Sequence, residues 1–421
     1  MDKTIGILNF HFAKNYGAVM VPWAMQYILK HEFEQSSKVI NYTFPTSQTD
    51  KYQYNSFDRF REDFLDITAY HCEITDSLYK YSDTFHTIIV GSDQVFRTSP
   101  EQPYYLKWVY GDVRCIAYAA SFGINRFEGN LFSRRQAKKL LSRFDALSVR
   151  ESSGVKILQE TFGLASKQVL DPTLLLNAED YQVIIDSDNH PVPENYVAVM
   201  FLDTTHWNEL KNSELYKTLS LKYKFIDICK DEKGNFRPVP HWLNLIKNAH
   251  YVITDSFHGS VFSIIFRKQF ITVSTVSRGN ARIESLFHTL GIPFSRFYEK
   301  LSGSGATHLK KNIDYVPISK KIAEERINSL EFIRISLAMK PKKKDTIATK
   351  RGKLVLPILT IREVPEYKEL LIFDILPVIS KITKTGDLYL FTKISIKGIS
   401  KYCRNILMTI SSIHNNIFKK H

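Results

Sequence analysis

The feature that most constrains this chain is a repeated unit. A short, apolar, β-branched run closes on small polar residues and is followed by a helical pattern. Phe85 to Val90 ends in Gly91-Ser-Asp-Gln-Val95, and Cys115 to Ala119 ends in Ala120-Ser-Phe-Gly123. Ala146 to Val149 ends in Arg150-Glu-Ser-Ser-Gly154, and Gln168 to Leu170 ends in Asp171-Pro172. Runs that are apolar throughout suit strands buried on both faces, as in a parallel sheet covered by helices. In open sheets of that kind, ligands sit outside the carboxyl ends of the strands.

The unit recurs most fully at Tyr251-Val-Ile-Thr-Asp-Ser-Phe-His-Gly-Ser-Val-Phe-Ser-Ile-Ile-Phe266. A strand leads into a polar turn holding Asp255, Ser256 and His258, where Gly259 is read as permitting a tight turn. A buried helix then begins, whose first N–H groups suit an anion. His258 can exchange a proton near neutrality; the competing reading is a helix cap.

Ahead of these units, Thr4 to Leu8 reads as a strand and Ala18 to His31 as a helix, with Gly17 at a close approach. No GxGxxG is present, so the opening does not argue for a dinucleotide. After a turn-rich stretch at Asp186-Ser-Asp-Asn-His-Pro-Val-Pro-Glu194, strands are expected at Tyr196–Leu202, Phe225–Ile228 and Phe270–Val273. Helices are expected at His241–Asn248, Ile283–Leu290 and Lys320–Ala338. The reading is α/β: two Rossmann-like domains, 1–185 and 190–338, with a cleft between them, and a basic tail over 340–421.

The tail carries +11 of the net charge of +14. Nucleic-acid binding by the whole protein is therefore not expected. Lys340-Pro-Lys-Lys-Lys344 and Lys350-Arg351 read as a basic, flexible linker. Ile399, Tyr402, Ile406, Ile410, Ile413 and Ile417 form an apolar helical stripe, with Lys393, Lys397, Lys401 and Arg404 near its start. A basic amphipathic helix suits an anionic membrane surface; packing onto the body is the alternative. Four scattered cysteines suggest neither disulfides nor a zinc site. With cysteine so sparse, a reducing, cytoplasmic setting is expected, and the N-terminal apolar run is too short for a signal peptide.

Several strand-end side chains are candidates for chemistry. Arg150, Arg278 and Arg282 suit a small ligand bearing phosphate and carboxylate, because the guanidinium fork binds both; an ion pair with Glu151 competes for Arg150. Asp93 is a candidate general base, or an N-cap. Asp171, before a proline, reads as a turn former, and His11 as a loop or core histidine.

Six segments together resemble the polysaccharide pyruvyl transferase family. They are Gly6-Ile-Leu-Asn-Phe-His-Phe-Ala-Lys-Asn-Tyr-Gly-Ala18, Ile89-Val-Gly-Ser-Asp-Gln-Val95, Tyr118-Ala-Ala-Ser-Phe-Gly123, Ser148-Val-Arg-Glu-Ser-Ser-Gly154, Val169-Leu-Asp-Pro-Thr173 and Ile253-Thr-Asp-Ser-Phe-His-Gly-Ser260. The resemblance implies a GT-B-like fold and transfer of pyruvate from phosphoenolpyruvate to saccharide hydroxyls as a ketal. It implies His258 and Asp93 as catalytic residues. The donor would meet Arg150, Ser256, Gly259, Ser260, Arg278 and Arg282. The acceptor, lipid-linked in one version of this reading, would meet Asn15, Tyr16, Gly17, Gln94 and Ser121. No metal and no cofactor beyond phosphoenolpyruvate as co-substrate are expected, and the enzyme would sit in the cytoplasm or on the inner membrane face. Some relatives carry Arg-Leu-His where this chain has Ser256-Phe-His258, and Arg278 or Arg282 would supply the missing cation. The alternatives are a GT-B glycosyltransferase using a nucleotide sugar, for which no ribose-binding carboxylate and pyrophosphate loop are found, and a non-catalytic saccharide-binding protein.

Overall fold

A computed structural model describes residues 4–43, 54–73, 75–97, 99–275, 279–301 and 312–345, and strands at 359–364, 367–372, 376–382 and 388–390. Residues 1–347 form one compact unit and 348–421 a second.

The first unit holds two sheets, each parallel throughout. Sheet one contains β1 (Ile5–Leu8), β2 (Ser37–Val39), β3 (Thr87–Asp93), β4 (Arg114–Ala120), β5 (Ala146–Val149) and β6 (Lys167–Gln168), in the order β2-β1-β3-β4-β5-β6. Sheet two contains β7 (Tyr196–Met200), β8 (Lys224–Asp227), β9 (Tyr251–Thr254), β10 (Gln269–Val273) and β11 (Phe297–Tyr298), in the order β11-β10-β9-β7-β8. The architecture is the GT-B-like one expected. Ser37–Val39 was not foreseen as a strand; its mixed Ser-Lys-Val sequence at a sheet edge gives little periodic signal.

Both sheets reverse direction part-way. In sheet one the chain runs from β1 to β2 on one side, then returns to place β3 on the other side of β1. In sheet two it runs from β7 to β8 and returns to place β9 beside β7. Such switch points open a crevice at the carboxyl ends of the two central strands. Candidate residues follow β1, β3 and β9 at these switch points, and Ser121, Arg150 and Arg282 follow β4, β5 and β10.

Side chains alternate across each strand, which divides the core in three. Ile7, Ile89 and Tyr118 of sheet one share an apolar cluster with Ala198, Met200, Val252 and Phe270 of sheet two. Leu8, Val90 and Ala117 face a second cluster, and Val199, Ile253 and Ile271 a third. The shared core is filled by α1 (Tyr16–Phe33), α2 (Val239–Asn248) and α3 (Phe257–Ile265), with α4 (Ala281–Leu290) and α5 (Tyr315–Ala338). Pro22 lies inside α1 and cannot donate to the Ala18 carbonyl one turn back. The Asn9 side chain donates to that carbonyl instead, at 3.4 Å.

The closing helix α5 returns to sheet one. Leu170 N donates to Ser329 Oγ (3.0 Å), and Arg326 Nε donates to the Leu174 carbonyl (2.6 Å). The basic segment after it is not a linker from Lys340 onward. Lys344 pairs with Gly111 through backbone bonds of 2.9 Å in both directions, and its Nζ meets Asp145 Oδ2 at 2.6 Å, buried. A carboxylate placed at the start of β5 by the Asp145-Ala146 sequence gives the lysine its partner. Lys350 and Arg351 lie outside the described residues.

In the second unit, β12 (Leu359–Val364), β13 (Tyr367–Ile372), β14 (Leu376–Ile382) and β15 (Leu388–Leu390) form an antiparallel meander. The tail thus holds these four strands, where only a helical stripe further on is expected from the sequence. That stripe, Ile399 to Ile417, lies outside the described residues, as do Lys393, Lys397, Lys401 and Arg404. Among the described residues no helix is long and apolar enough to cross a membrane.

Candidate functional site

The two switch points meet at His258. Ser256 caps α3, accepting from Gly259 N at 3.4 Å, which starts the helix and sets the imidazole one residue inside it. His258 Nε2 lies 3.6 Å from Asp171 Oδ2, and the residue is 5% exposed. On its other side the ring rests on Gly17, the second residue of α1: a Cβ there would lie 1.9 Å from His258 Nδ1. Gly17 therefore makes the close approach, and its partner is the imidazole. Gly259 acts differently from expectation. It sits within α3 with ordinary backbone angles, and what it permits is contact with Thr254, whose Oγ1 would lie 2.2 Å from a Cβ.

Arg150 organises the first-lobe side. Its Nη1 donates to Asp171 Oδ2 (3.0 Å) and Ser92 Oγ (3.2 Å), and its Nη2 donates to Asp93 Oδ1 (3.1 Å). Its guanidinium carbon lies 4.3 Å from the Phe257 ring centre, and that of Arg282 lies 5.9 Å from the same ring. Phe257, at the position before the histidine, is thus an aromatic rest for both cations. Asp171 Oδ1 also accepts from Thr173 N (3.1 Å) and Thr173 Oγ1 (2.6 Å). Glu151 does form the competing ion pair with Arg150, Nε to Oε2 at 4.0 Å, and its other oxygen accepts from Ser121 Oγ (2.9 Å), Phe122 N (2.8 Å) and Gly123 N (3.2 Å), which fixes the loop after β4.

Asp93 carries backbone strain, with φ of 98° in the region that favours glycine. Such a conformation costs on the order of 1–3 kcal/mol and persists only where neighbours impose it. Ser121 N holds its carbonyl (2.9 Å), and Gln94 N and Arg150 hold its carboxylate.

The electrostatics follow from burial and pairing. Burial pushes Asp93 up, but Arg150, His258 and Arg282 outweigh it and hold the carboxyl below its usual range. Asp171 is likewise opposed by burial, yet His258 and Arg150 hold it far below that range. For Glu151 burial wins over Arg150 and its hydrogen bonds, and the carboxyl is raised. Burial, then Arg150, lowers Arg282 to about 10, which leaves it a cation at neutral pH. Arg150 Nε, Glu151 Oε2 and His258 Nε2 are buried without a hydrogen bond, the first two facing each other at 4.0 Å and the third 3.6 Å from Asp171 Oδ2. Buried polar atoms are rarely left so without a ligand, ion or water to receive them.

Of the residues picked from sequence, His258, Asp93, Arg150, Arg282, Gly17 and Ser121 come together at this junction. Tyr16, buried, donates to the carbonyls of Cys229 (2.8 Å) and Arg237 (2.9 Å) and stacks on Trp242, so its visible work is to join the lobes. Asn15 caps α1. Ser260 Oγ is 2.8 Å from Thr272 Oγ1 inside sheet two. Gln94 accepts from Arg97 Nη1 at 3.3 Å. Arg278 lies outside the described residues. His11 is a buried core histidine whose pKa burial, then Arg61, lowers to about 3. Asp171 and Glu151 were undervalued: an Asp before Pro and a Glu after Arg look like local pairings, and only the sheet order brings them to the junction.

Two hollows border the cluster. One of about 20 Å³, lined by Arg150, Gln168, Asp171, Phe257 and Glu325, has room for a single water. The other, of about 180 Å³, lies beyond β3 and β4 and is lined by Arg97, Ser99, Arg126, Phe127 and Glu128. Among the described residues, the group of three side chains spaced to hold an ion is Asp188, His190 and His241, outside this junction.

The polysaccharide pyruvyl transferase family profile matches residues 15–277, from the cap of α1 past the turn that carries His258. The chain belongs to the polysaccharide pyruvyl transferase family. It is a transferase, and the junction residues other than Arg282 lie within the matched region. No curated protein sequence matches the chain. Among solved structures it is similar to a UDP-N-acetylglucosamine 2-epimerase from Rickettsia bellii, at 11% identity and a TM-score of 0.47, covering 80% of this chain and 96% of that one. It is also similar to Arabidopsis thaliana UGT89C1, at 9% identity and 0.46, covering 80% and 100%.

Proposed function

We propose that this transferase moves the pyruvyl group of phosphoenolpyruvate onto two hydroxyls of a saccharide, forming a cyclic ketal and releasing phosphate. The observation that carries the reading is the meeting of both switch points at one imidazole, His258, beside Asp171 and within the field of Arg150 and Arg282. His258 gives a proton to the methylene carbon of the donor, and Asp171 orients the ring. The central carbon, now electron-poor, takes two sugar oxygens as its bond to the phosphate oxygen breaks. One hydroxyl proton passes through Asp93, which is ionised at neutral pH, to the departing phosphate, and the other restores His258. Arg150 has both terminal nitrogens engaged by carboxylates, so it serves to keep Asp93 and Asp171 anionic, while Arg282 faces the donor's charge. The acceptor enters by the hollow beyond β3, whose exposed Arg126 and partly buried Phe127 suit a sugar ring with acidic substituents. A tail that rests on an anionic membrane would bring lipid-linked acceptors within reach.

The test is phosphate release from phosphoenolpyruvate with a panel of surface glycans, with nucleotide sugars run in parallel. His258→Ala should reduce release by about 10²–10⁴-fold, the range of a lost proton-transfer group. Release that depends on a nucleotide sugar, or full turnover by the His258→Ala protein, rejects the reading.

A further inference from the structure

Outside the junction, the turn between the lobes and α2 bring together a second set of titratable groups. Asp188 Oδ1 lies 2.8 Å from His190 Nδ1, and Asp188 Oδ2 lies 2.9 Å from His241 Nδ1. One ligand atom from each residue lies within 4.8 Å of the others. Asn244 Nδ2 donates to Asp188 Oδ2 at 2.9 Å, which fixes the carboxylate on α2. The side chain of Asp188 is fully buried, although Asp186, Ser187 and Asn189 around it are exposed. His241 is nearly buried, and the His190 side chain is 53% exposed. An exposed turn has therefore tucked in one carboxylate, met from two sides by imidazole nitrogens.

We propose that Asp188, His190 and His241 bind one divalent ion of the zinc class. Two imidazole nitrogens and a carboxylate oxygen, with no thiolate, match the ligand set of borderline first-row cations. Three protein ligands leave a fourth position, which opens toward solvent on the His190 side. Binding asks each neutral imidazole to carry its proton on Nε2, so that Nδ1 is free for the metal. Asn244 then acts as the outer-shell partner that such sites use to aim a ligating carboxylate. The ion would fasten the interlobe turn to α2, next to Trp242, whose ring stacks on Tyr16 at 4.6 Å. This assignment is independent of the reaction at His258.

The experiment is a titration of the chelator-stripped full chain with Co²⁺, read by visible absorption, followed by displacement with Zn²⁺. One equivalent should bind, with bands of a four-coordinate ion that Zn²⁺ abolishes. His190→Ala, at an exposed position, should keep the parent's urea transition and lose the bands. Asn244→Ala should weaken binding by about ten- to a hundredfold. His71→Ala, another exposed histidine, should bind like the parent. No bands at one equivalent, or undiminished binding by the His190→Ala protein, overturns the proposal.

Discussion

Replacing Gly17 by alanine is the sharpest perturbation of the junction. The added carbon would stand 1.9 Å from His258 Nδ1, where ordinary contact begins at 3.4 Å, so the ring must retreat by about 1.5 Å. Retreat is opposed on the far side by Asp171, whose Oδ2 is already 3.6 Å from Nε2. The alternatives are a rotated ring or a displaced α1, and α1 is pinned by Tyr16 to the segment after β8. Overpacking of this kind costs about 1–3 kcal/mol. The gain from alanine in a helix is at most about 1 kcal/mol and less in the first turn. A net loss of roughly 1–2 kcal/mol follows, measured by urea unfolding. The larger effect is on turnover: a reacting group misplaced by about 1 Å can lose on the order of a hundredfold. Phosphate release from phosphoenolpyruvate with an accepted glycan reads it directly. Turnover and stability both equal to the parent's would show that His258 does not work from the position against Gly17, and the mechanism would need another proton donor.

Three further outcomes follow from the structure. Asp171→Asn should cost about 3–5 kcal/mol in urea unfolding, because Arg150 loses a buried partner. Since the folded-state carboxyls of Asp171 and Asp93 are held below the ordinary 3.8, their stabilisation is full above that pH and is lost progressively as pH falls from there through their lower folded-state pKa values. The parent's urea midpoint should therefore drop steeply below about pH 4, and the Asp171→Asn protein's less so; parallel pH profiles would contradict this. Lys344→Ala should likewise cost about 3–5 kcal/mol, because it strands the buried Asp145 carboxylate, and the Lys344→Met, Asp145→Leu pair should recover most of it; an unchanged midpoint for Lys344→Ala would place that pair in solvent. Removing residues 348–421 leaves the Lys344 anchor in place, so the remaining protein should unfold like the parent while losing co-sedimentation with anionic liposomes, and retained co-sedimentation would assign membrane contact to the body.

Much of the fold was legible because parallel strands buried on both faces announce themselves as unbroken apolar runs. Ala146–Val149 and the start at Tyr251 match to the residue, the other strands of 114–120 and 196–273 to within one or two, and Thr87–Asp93 runs three residues past the expected end at Val90. What failed shares a cause. Ser37–Val39 is a three-residue edge strand with one fully buried side chain, too little for a pattern to register. Lys342 to Lys344 look like a solvated linker because charge predicts exposure, and nothing in a run of lysines says that Asp145, two hundred residues earlier, waits at a strand start to receive one.

The site was legible in its members and opaque in its logic. Sequence put arginines at strand ends and inferred a cationic pocket. The structure instead sets Arg150 and Arg282 among Asp93, Glu151 and Asp171, so carboxylates outnumber guanidiniums. Asp171, kept ionised by Arg150, presents to His258 Nε2, 3.6 Å away, the same Oδ2 that accepts from Arg150 Nη1. The arginine at the end of β5 therefore acts on the histidine through the aspartate between them. That relation depends on β3, β5 and the chain after β6 lying in one sheet order and on α3 arriving from the other lobe, so no local stretch of sequence contains it.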